Sequence, residues 1–303
     1  MNSAYSISEL GTGAAWCLLV ISFSIAFEEN SRMADQKIVL VTGASSGLGK
    51  HIAEDLAKQG YHVFAAARSM DKLEIMRSET IEPLRLDVTV EADIQAAVDH
   101  IKATKGRLDI LINNAGYGIY GTIEGIRDEQ VRRAFDVNVF GLGAMTRAAL
   151  PMMRKQKFGL IINMSSVVGK AAVPVAGWYG ASKHAVEGLS DALRLEVKPF
   201  GIKVVLIEPG AIRTGFEDTA MATLARSNDP SAYDDLVSAF SNSIRNGYKS
   251  APGPEVVMRQ VHRAIAARNP KARYIAGTDS RLVITLKGLL GDGLWDRVVA
   301  SQY

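Results

Sequence analysis

Residues 37–50 read KIVLVTGASSGLGK and decide the fold of this chain. The apolar, β-branched run predicts a buried strand, and the glycines after it predict a tight turn leading into a helix over residues 51–59. Such glycines let the backbone approach a pyrophosphate, and the helix N-terminus offers N–H groups and a positive dipole end. The spacing, G-x-x-x-G-x-G, differs from the G-x-G-x-x-G dinucleotide fingerprint, and a plain turn is the alternative. The candidate phosphate-loop residues are Gly43, Ser45, Ser46, Gly47, Leu48 and Gly49.

Six further apolar runs follow this strand at a short, regular spacing, with helical patterns between them. They are YHVFAAA, IEPLRLD, LDILINNAG, LIINMSS, IKVVLIEPG and RYIAG. Continuous apolar strands alternating with helices predict an α/β, doubly wound, Rossmann-type fold: a parallel seven-stranded sheet with helices on both faces. Such a sheet often runs to about 250 residues, so we expect a single domain over residues 37–293. The irregular stretch 217–254 is predicted as a lid insertion and 294–303 as a C-terminal tail.

Composition excludes several classes of function. The chain has 303 residues, 48% of them hydrophobic and 22% charged, which is typical of a globular protein with a sizeable core. The net charge of +3 is spread among acids, so we expect no nucleic-acid binding. Cys17 is the only cysteine and the five histidines lack metal-ligand spacing, which excludes an intrachain disulfide and makes no metal the expectation. A reducing, cytoplasmic compartment fits this usage.

Residues 1–36 form a leader whose status the sequence leaves open. The apolar segment 14–27 is shorter than the roughly 20 residues of a spanning helix. The only charge before it is Glu9, which disfavours a secretory signal peptide. Three alternatives remain: a dispensable or mis-assigned leader before a start at Met33, a membrane anchor through residues 10–27, and a packed helix. Arg32 and Lys37 would keep the following domain cytoplasmic if the segment inserts.

The end of the second strand bears on the choice of dinucleotide. An NAD site places Asp or Glu there for the ribose 2′-hydroxyl, whereas this chain has Ala67 and Arg68. A guanidinium pairs well with a 2′-phosphate, so we predict NADP(H) over NAD(H), with a solvated strand-end Arg68 as the alternative. Asp87, which closes the third strand, is the natural acceptor for the adenine amino group, although Asp is also common in turns.

Tyr179 and Lys183 are the candidate catalytic pair. They are four residues apart and therefore share one helix face. A cation beside a phenol favours the phenolate and lowers its pKa, so Tyr179 is predicted to be general acid in reduction and general base in oxidation. Alone, Tyr-x-x-x-Lys occurs by chance in many helices.

Several other motifs occur in an ordered series around this pair. They are TGASSGLG (42–49), NNAG (113–116), DVNVFG around Asn138, INMSSVVG around Ser166, YGASK (179–183) and EPGAIRT (208–214). In order and spacing the chain resembles the short-chain dehydrogenase/reductase family over residues 37–215. The stretch to Gly293 is similar to the 17β-hydroxysteroid dehydrogenase-like and retinol dehydrogenase-like branch. One departure is Ser46, where NADP-preferring members often carry Arg or Lys.

The resemblance implies a role for each matching residue. Tyr179 would be the acid/base, with Lys183 its pKa-lowering partner and a donor to the nicotinamide ribose. Ser166 would hydrogen-bond the substrate oxygen, and Asn138 would hold a relay water. The remaining implied cofactor contacts are Asn114, Ala115 and Gly116 on the adenosine side, and Pro209, Gly210, Ile212 and Thr214 on the nicotinamide side. The helices at 131–154 and after Tyr179 would pair subunits into a homodimer or homotetramer.

Residues that follow the strands are expected to line the substrate pocket, because open α/β sheets bind ligands beyond their carboxyl ends. The candidates are Tyr117, Ile119, Tyr120, Val167, Val168, Val173, Val175, Trp178, Ile212 and Phe216. The set is apolar and offers no cation for a carboxylate or phosphate. It predicts an apolar alcohol/carbonyl pair such as a steroid, a retinoid, or a long-chain or aromatic ketone or aldehyde, unless several of these side chains only fill the core.

Two other functions fit the same fold. One is an isomerase or epimerase, and the other is a non-catalytic NADP(H)-sensing or scaffold protein. The joint presence of Asn138, Ser166, Tyr179 and Lys183 argues against the scaffold, which has no chemical need for all four.

Overall fold

Continuous apolar runs form the strands of the structure, a computed structural model that describes residues 36–301 except the side chains of residues 278 and 279. The strands are β1 (Ile38–Thr42), β2 (His62–Ala67), β3 (Ile81–Arg85), β4 (Ile110–Asn113), β5 (Gly159–Met164), β6 (Ile202–Pro209) and β7 (Arg273–Ala276). Strands β1, β2 and β5 are buried at every position, as expected for a parallel sheet covered on both faces.

The strand order is β3-β2-β1-β4-β5-β6-β7, and every neighbouring pair is parallel. From β1 the chain adds β2 and β3 toward one edge of the sheet. It then returns to β4, beside β1, and adds β5, β6 and β7 toward the other edge. The carboxyl ends of β1 and β4 therefore flank the switch point at which open α/β sheets bind ligands. The predicted doubly wound Rossmann-type fold, a seven-stranded parallel sheet in a single domain, is confirmed for the described residues.

Helices cover both faces of the sheet. They are α1 (Gly47–Lys58), α2 (Met70–Glu74), α3 (Glu91–Lys105), α4 (Asp128–Phe135), α5 (Leu142–Gln156), α6 (Gly177–Val197), α7 (Phe216–Leu224), α8 (Asp234–Ser250), α9 (Glu255–Ala266) and α10 (Thr278–Ala300). A π-helical turn, Asp136–Gly141, joins α4 to α5, and short 3₁₀ turns lie at Val167–Gly169, Lys198–Phe200 and Ser231–Tyr233.

Alternate residues of each central strand face opposite cores. In β1, Val39 and Val41 pack in one cluster with residues of α1 and α9. Ile38 and Leu40 pack in the other with residues of α3 and α5. A third apolar cluster lies beyond the carboxyl ends of the strands and contains residues of α7, α8 and the start of α6. This third cluster places apolar side chains where the substrate pocket is expected.

Two predicted boundaries differ from the observed elements. The insertion predicted over 217–254 is largely helical and contains α7 and α8. The predicted tail at 294–303 begins inside α10, which continues to Ala300 with one non-helical residue, Gly291, at φ 65°. Trp295, within this last stretch of α10, is only 6% exposed.

None of the helices between residues 36 and 301 is long and apolar enough to cross a membrane. The predicted leader, apart from Gln36, lies outside the described residues. The same holds for its apolar segment 14–27, for the membrane contact through residues 10–27, and for residues 302 and 303.

Candidate active site

The turn after β1 brings its backbone against the neighbouring loop. Gly43 has φ 68°, and a Cβ there would lie 2.8 Å from the Cα of Ala115. A Cβ on Gly49 would lie 2.3 Å from the carbonyl oxygen of Gly43. Only glycine fits at both positions, because any side chain would meet backbone atoms. The turn therefore has the close packing that a dinucleotide phosphate loop requires.

Thr42 and Asn114 hold this turn to the loop after β4. The Thr42 hydroxyl accepts the backbone N–H groups of Asn114 and Ala115, each at 3.0 Å. The Asn114 side chain donates to the Thr42 carbonyl oxygen at 2.9 Å. Hydrogen bonds within the protein therefore hold together the two loops at the switch point and fix the conformation of their exposed backbone.

Arg68 and Asp87 lie together at the far end of the cleft. Their closest charged atoms are 3.9 Å apart, and the Arg68 side chain is 65% exposed. Asp87 accepts the N–H and hydroxyl of Thr89 at 3.0 and 2.7 Å. Partial burial opposes ionisation, but these bonds and then the charge of Arg68 lower the pKa of Asp87 overall. Arg68 is therefore a largely exposed cation beside a hydrogen-bonded carboxylate.

One continuous cleft of about 1400 Å³ runs from Arg68 to the third apolar cluster. Most of the predicted site residues line it. Those lining the cleft are Gly43, Ser45, Ser46, Gly47, Leu48, Arg68, Asp87, Asn114, Ala115, Gly116, Tyr117, Ile119, Tyr120, Ser166, Val167, Val168, Val173, Tyr179, Lys183, Pro209, Gly210, Ile212, Thr214 and Phe216. Of the other predicted residues, Gly49 packs behind the turn, and Asn138, Val175 and Trp178 lie outside the lining.

Ser166 and Tyr179 meet at the floor of the cleft. Ser166 follows β5 and caps the 3₁₀ turn, accepting the N–H of Val168 at 3.4 Å. Its hydroxyl also lies 3.3 Å from the carbonyl oxygen of Pro209 and is near enough to the phenol of Tyr179 to oppose the rise in that phenol's pKa. Tyr179 is 8% exposed. A carbonyl oxygen placed between these two hydroxyls would receive two hydrogen bonds, which is the arrangement needed to stabilise its developing charge.

Burial dominates the ionisation of the catalytic pair. It raises the pKa of Tyr179, with nearby Tyr248 adding to the rise and the bond from Ser166 opposing it. Burial also lowers the pKa of Lys183 to about 8, against the charge of Glu187. The Lys183 ammonium donates to the Met164 carbonyl oxygen at 2.8 Å. The predicted lowering of the Tyr179 pKa is therefore wrong for the protein alone, because desolvation outweighs the cation one turn away.

A buried acidic pair lies behind Lys183. Glu187 of α6 and Glu208 of β6 face one another, and their Oε1 atoms accept no hydrogen bond. Arg273 of β7 lies 2.9 Å from Glu187 and 3.3 Å from Glu208, and Lys170 lies 2.7 Å from Glu187. Burial and then the charge of Glu187 raise the pKa of Glu208 to about 7. A proton on Glu208 would bridge the two carboxyl groups.

Asn138 anchors the helices around the cleft. It lies in the π-helical turn and is 1% exposed. Its side-chain oxygen accepts the N–H of Tyr117 at 3.0 Å, and its amide donates to the Tyr117 carbonyl oxygen and to Ser182, each at 3.1 Å. Both amide protons are thus used within the protein. These bonds tie the loop after β4 to the helix that carries Tyr179 and Lys183, and they do not favour a relay water on this side chain.

The nicotinamide side predicted from the sequence is built on the end of β6. The Gly210 N–H donates to the Ala276 carbonyl oxygen at 3.1 Å, and a Cβ on Gly210 would lie 2.2 Å from the hydroxyl of Ser280. The Thr214 hydroxyl lies 3.4 Å from the Ile212 carbonyl oxygen. This loop is therefore packed tightly against the start of α10.

Apolar and aromatic rings surround the Tyr179 phenol. The ring centroid of Phe216 lies 5.8 Å from that of Tyr179, and that of Tyr120 lies 6.5 Å away. Trp178, predicted to line the pocket, packs against the third apolar cluster but lies outside the cleft lining, with its indole N–H 3.5 Å from the Ile123 carbonyl oxygen. Neighbouring residues of a helix point about 100° apart, and here Tyr179 lines the cleft whereas Trp178 does not.

Several lining residues carry no motif that sequence reasoning could use. They are Lys72, Thr219, Ala222, Thr223, Arg226, Phe240, Ile244, Tyr248, Ser280 and Val283. Lys72 offers a second cation near Arg68, and its position in α2, the helix directly after β2, was the available signal. The residues of α7 and α8 had none. Within residues 36–301 there is no cluster of three metal-ligating side chains.

A nucleotide-binding Rossmann domain with a tyrosine, a serine and a lysine at the carboxyl ends of its strands has the architecture of a dehydrogenase or reductase. Comparison with known proteins agrees, because residues 37–225 match the family model described as short chain dehydrogenase. The chain belongs to the short-chain dehydrogenase/reductase family, and the resemblance predicted from the motifs is confirmed.

Three relatives illustrate the range of this family. The 3-ketodihydrosphingosine reductase of Bacteroides thetaiotaomicron is 40% identical over 80% of this chain and 88% of its own length. The NADPH-dependent 3-dehydrocapnine reductase of Ornithobacterium rhinotracheale is 31% identical over 86% and 95%. The 17-beta-hydroxysteroid dehydrogenase type 6 of Rattus norvegicus is 33% identical over 87% and 88%.

Solved structures share the fold. A short-chain dehydrogenase from Streptomyces avermitilis superposes with a TM-score of 0.75 at 32% identity, over 88% of this chain and 94% of that one. A family member from Burkholderia phymatum in complex with NAD gives a TM-score of 0.73 at 26% identity, over 84% and 93%. The fold therefore binds a nicotinamide dinucleotide.

Proposed function

We propose that the protein transfers a hydride between NADP(H) and an apolar alcohol/ketone or aldehyde, with Tyr179 as general acid/base. The observation that carries this proposal is the meeting of Tyr179 and Ser166 at the floor of the cleft, with Lys183 one helical turn away. Bound NADPH would supply the hydride. The protein would supply a proton, two hydrogen bonds to the carbonyl oxygen and exclusion of water.

The raised pKa of Tyr179 favours the reductive direction. Carbonyl reduction needs a protonated acid, and burial keeps this phenol protonated across the neutral range. In oxidation the phenol must lose its proton first, and an added positive charge beside it would assist. Lys183 can provide that charge below its pKa of about 8.

The cleft fits a dinucleotide, and Arg68 supports the choice of NADP(H). The turn at Gly43 leaves backbone exposed for a pyrophosphate, and Arg68 with Lys72 offers two cations at the opposite end. The 3-dehydrocapnine reductase is named as NADPH-dependent, whereas one structural relative holds NAD. The preference therefore rests on Arg68, which must leave its contact with Asp87 to bind a 2′-phosphate.

The walls near Tyr179 support an apolar substrate. Phe216, Val168, Val173 and Phe240 line this end of the cleft. Three arginines, Arg127, Arg133 and Arg226, also line the cleft, so its lining as a whole is not apolar. The relatives named for 3-ketodihydrosphingosine and for a 17-beta-hydroxysteroid agree with a large apolar ketone. We propose a substrate of this class, such as a long-chain, steroid-like, retinoid-like or aromatic carbonyl compound.

A spectrophotometric assay tests the proposal directly. The full chain is mixed with NADPH and a panel of long-chain, steroid and aromatic ketones, and nicotinamide absorbance is followed with NADH as the matched control. Turnover of apolar ketones that is faster with NADPH is expected. Turnover confined to sugar phosphates or hydroxy acids would refute the substrate class, and NADPH binding without any turnover would favour a sensing or scaffold protein.

We also propose a homodimer or homotetramer that acts in the cytoplasm. Large apolar side chains are exposed on the helices predicted to pair, among them Phe140, Leu189 and Leu195. Paired subunits would cover these side chains. A single sedimenting species at the monomer mass across micromolar concentrations would reject the oligomer.

A further inference from the structure

Two tyrosines place hydroxyl groups in the apolar wall beside Tyr179. Tyr120 lies in the loop after β4 and Tyr248 near the end of α8, and both line the cleft. They are 6% and 8% exposed, and their phenols lie near enough to act on one another's pKa. The Tyr120 ring lies edge-on to Tyr179 and, at 5.1 Å between centroids, to Phe240. A polar pair thus interrupts a surface that is otherwise aromatic and aliphatic.

The pair has hydrogen-bonding capacity left for a ligand. Two phenols carry two protons and four lone pairs, and even a mutual hydrogen bond would use only one of each. Burial raises the pKa of Tyr248 to about 12 and that of Tyr120 further, so both stay neutral donors in the physiological range. Leaving such capacity unused in an apolar pocket costs free energy. A substrate hydroxyl, which both donates and accepts, complements what remains.

The position of the pair relates this hydroxyl to the reacting carbon. Tyr248 is near enough to Tyr179 for its phenol to act on the ionisation of the latter, and Tyr120 contacts the Tyr179 ring. A carbonyl oxygen held by Tyr179 and Ser166 would therefore have the pair beside the neighbouring carbons. Apolar pockets commonly use a few such polar groups to fix a ligand's orientation.

We propose that Tyr120 and Tyr248 form a subsite for a hydroxyl group near the carbonyl of an apolar ketone. The protein would then select hydroxyketones over plain ketones of equal length. This inference rests on the proposed ketone reduction. It assigns a specificity role to α8, the helix of the insertion that no motif describes.

A substrate pair tests the subsite. The ratio of kcat/KM for long-chain α- or β-hydroxyketones to that for the plain ketone is measured in the full chain and in Tyr248→Phe and Tyr120→Phe. Loss of a neutral hydrogen bond predicts that the ratio falls about tenfold in either variant. The intrinsic reactivity of each ketone is the same for wild type and variant. A change in the ratio therefore reports the contact between the substrate hydroxyl and the substituted tyrosine. NADPH binding and Tm confirm that each variant is folded.

Tyr233→Phe is the matched control, since this exposed phenol lies on the same insertion and bonds Glu124 at 3.0 Å outside the cleft. It should keep the wild-type ratio. An unchanged ratio in both test variants, while plain ketones are still reduced, overturns the subsite and leaves the proposed function intact. If the wild type reduces neither kind of ketone, the proposed function itself fails and the subsite fails with it.

Discussion

The cofactor wall of the cleft (residues 38–116) and its substrate wall (residues 216–250) are built in different ways. The cofactor wall presents backbone at the phosphate loop, where turns follow strands and are held by contacts such as Asn114 to Thr42, and it presents side chains such as Arg68 at its far end. The substrate wall presents side chains of two helices, among them Phe216, Phe240 and Tyr248. A backbone site restricts sequence to glycine and a few hydrogen-bonding residues, whereas a side-chain site accepts many apolar combinations.

Tyr179 is where the two walls meet. Its phenol lies beside Ser166, which follows β5, and its ring contacts Phe216 at the start of the insertion. If the two walls act separately, substitutions in one should change cofactor binding alone, and substitutions in the other should change substrate binding alone. Substitution of the catalytic phenol should lower turnover and leave the binding of cofactor and of substrate unchanged.

The largest effect is expected for Tyr179→Phe, which removes only the ionisable hydroxyl. Loss of a general acid costs about 10²- to 10⁴-fold in rate, so kcat should fall by that factor. NADPH affinity, followed by nicotinamide fluorescence, should stay within about twofold because the ring still fills its place. Retention of more than a few per cent of the wild-type kcat would remove Tyr179 from the acid/base role.

Arg68→Glu should disturb the cofactor wall alone. Loss of a charge-assisted bond of about 1.5–3 kcal/mol predicts a Kd for NADPH higher by about 10- to 150-fold, with little loss for NADH. Arg85→Glu is the control, since Arg85 ends the adjacent strand, is 72% exposed and lies outside the cleft lining. Wild-type protein with equal kcat/KM for NADPH and NADH would contradict the assignment.

Phe216→Ala should disturb the substrate wall alone. Removing a ring from an apolar contact of about 1.5 kcal/mol predicts a KM for an apolar ketone higher by about tenfold, with the Kd for NADPH nearly constant. Phe158→Ala, at a partly exposed ring outside the lining, serves as control. A larger loss of NADPH affinity than of substrate affinity would show that the two walls are not separable.

The smallest effect concerns the acidic pair behind both walls. Because its pKa is raised, Glu208 keeps a proton in the folded protein that it releases in the unfolded chain. The stability that this proton contributes is present below about pH 4.5 and is lost as the pH rises through about 7. Glu208→Gln stays neutral, and its Tm should therefore fall less, by a few degrees, between about pH 5 and about pH 8. Parallel Tm profiles for the two proteins would contradict the raised pKa.

The sequence predicted the cofactor wall well because its physics is local. Glycines at Gly43 and Gly49 are required by backbone approaches that few other sequences satisfy, and each apolar run matched one strand. Tyr179 and Lys183 could be paired because helix geometry fixes residues four apart on one face. Motif order then extended the site to Ser166.

What the sequence missed depends on contacts between distant segments. Tyr248 lies 128 positions after Tyr120, and no local pattern indicates that their phenols meet. The predicted direction of the Tyr179 pKa shift was wrong, because the whole fold determines how far the phenol is buried and desolvated. Trp178 was among the predicted pocket residues because the residues that follow the strands were expected to line the pocket, yet its indole N–H faces the Ile123 carbonyl oxygen.

The π-helical turn at Asp136–Gly141 affects how the protein would tolerate the deletion of a single residue. Such a turn holds one residue more than an α-helix needs. Loss of one codon elsewhere in α4 or α5 would rotate one side of the helix by about 100° and misplace its apolar face. Loss of a codon within the turn would instead restore a regular helix and keep both faces packed, while moving Asn138 away from Tyr117 and Ser182. Within this helix, the turn is thus where a deletion could spare the fold and still disconnect the site.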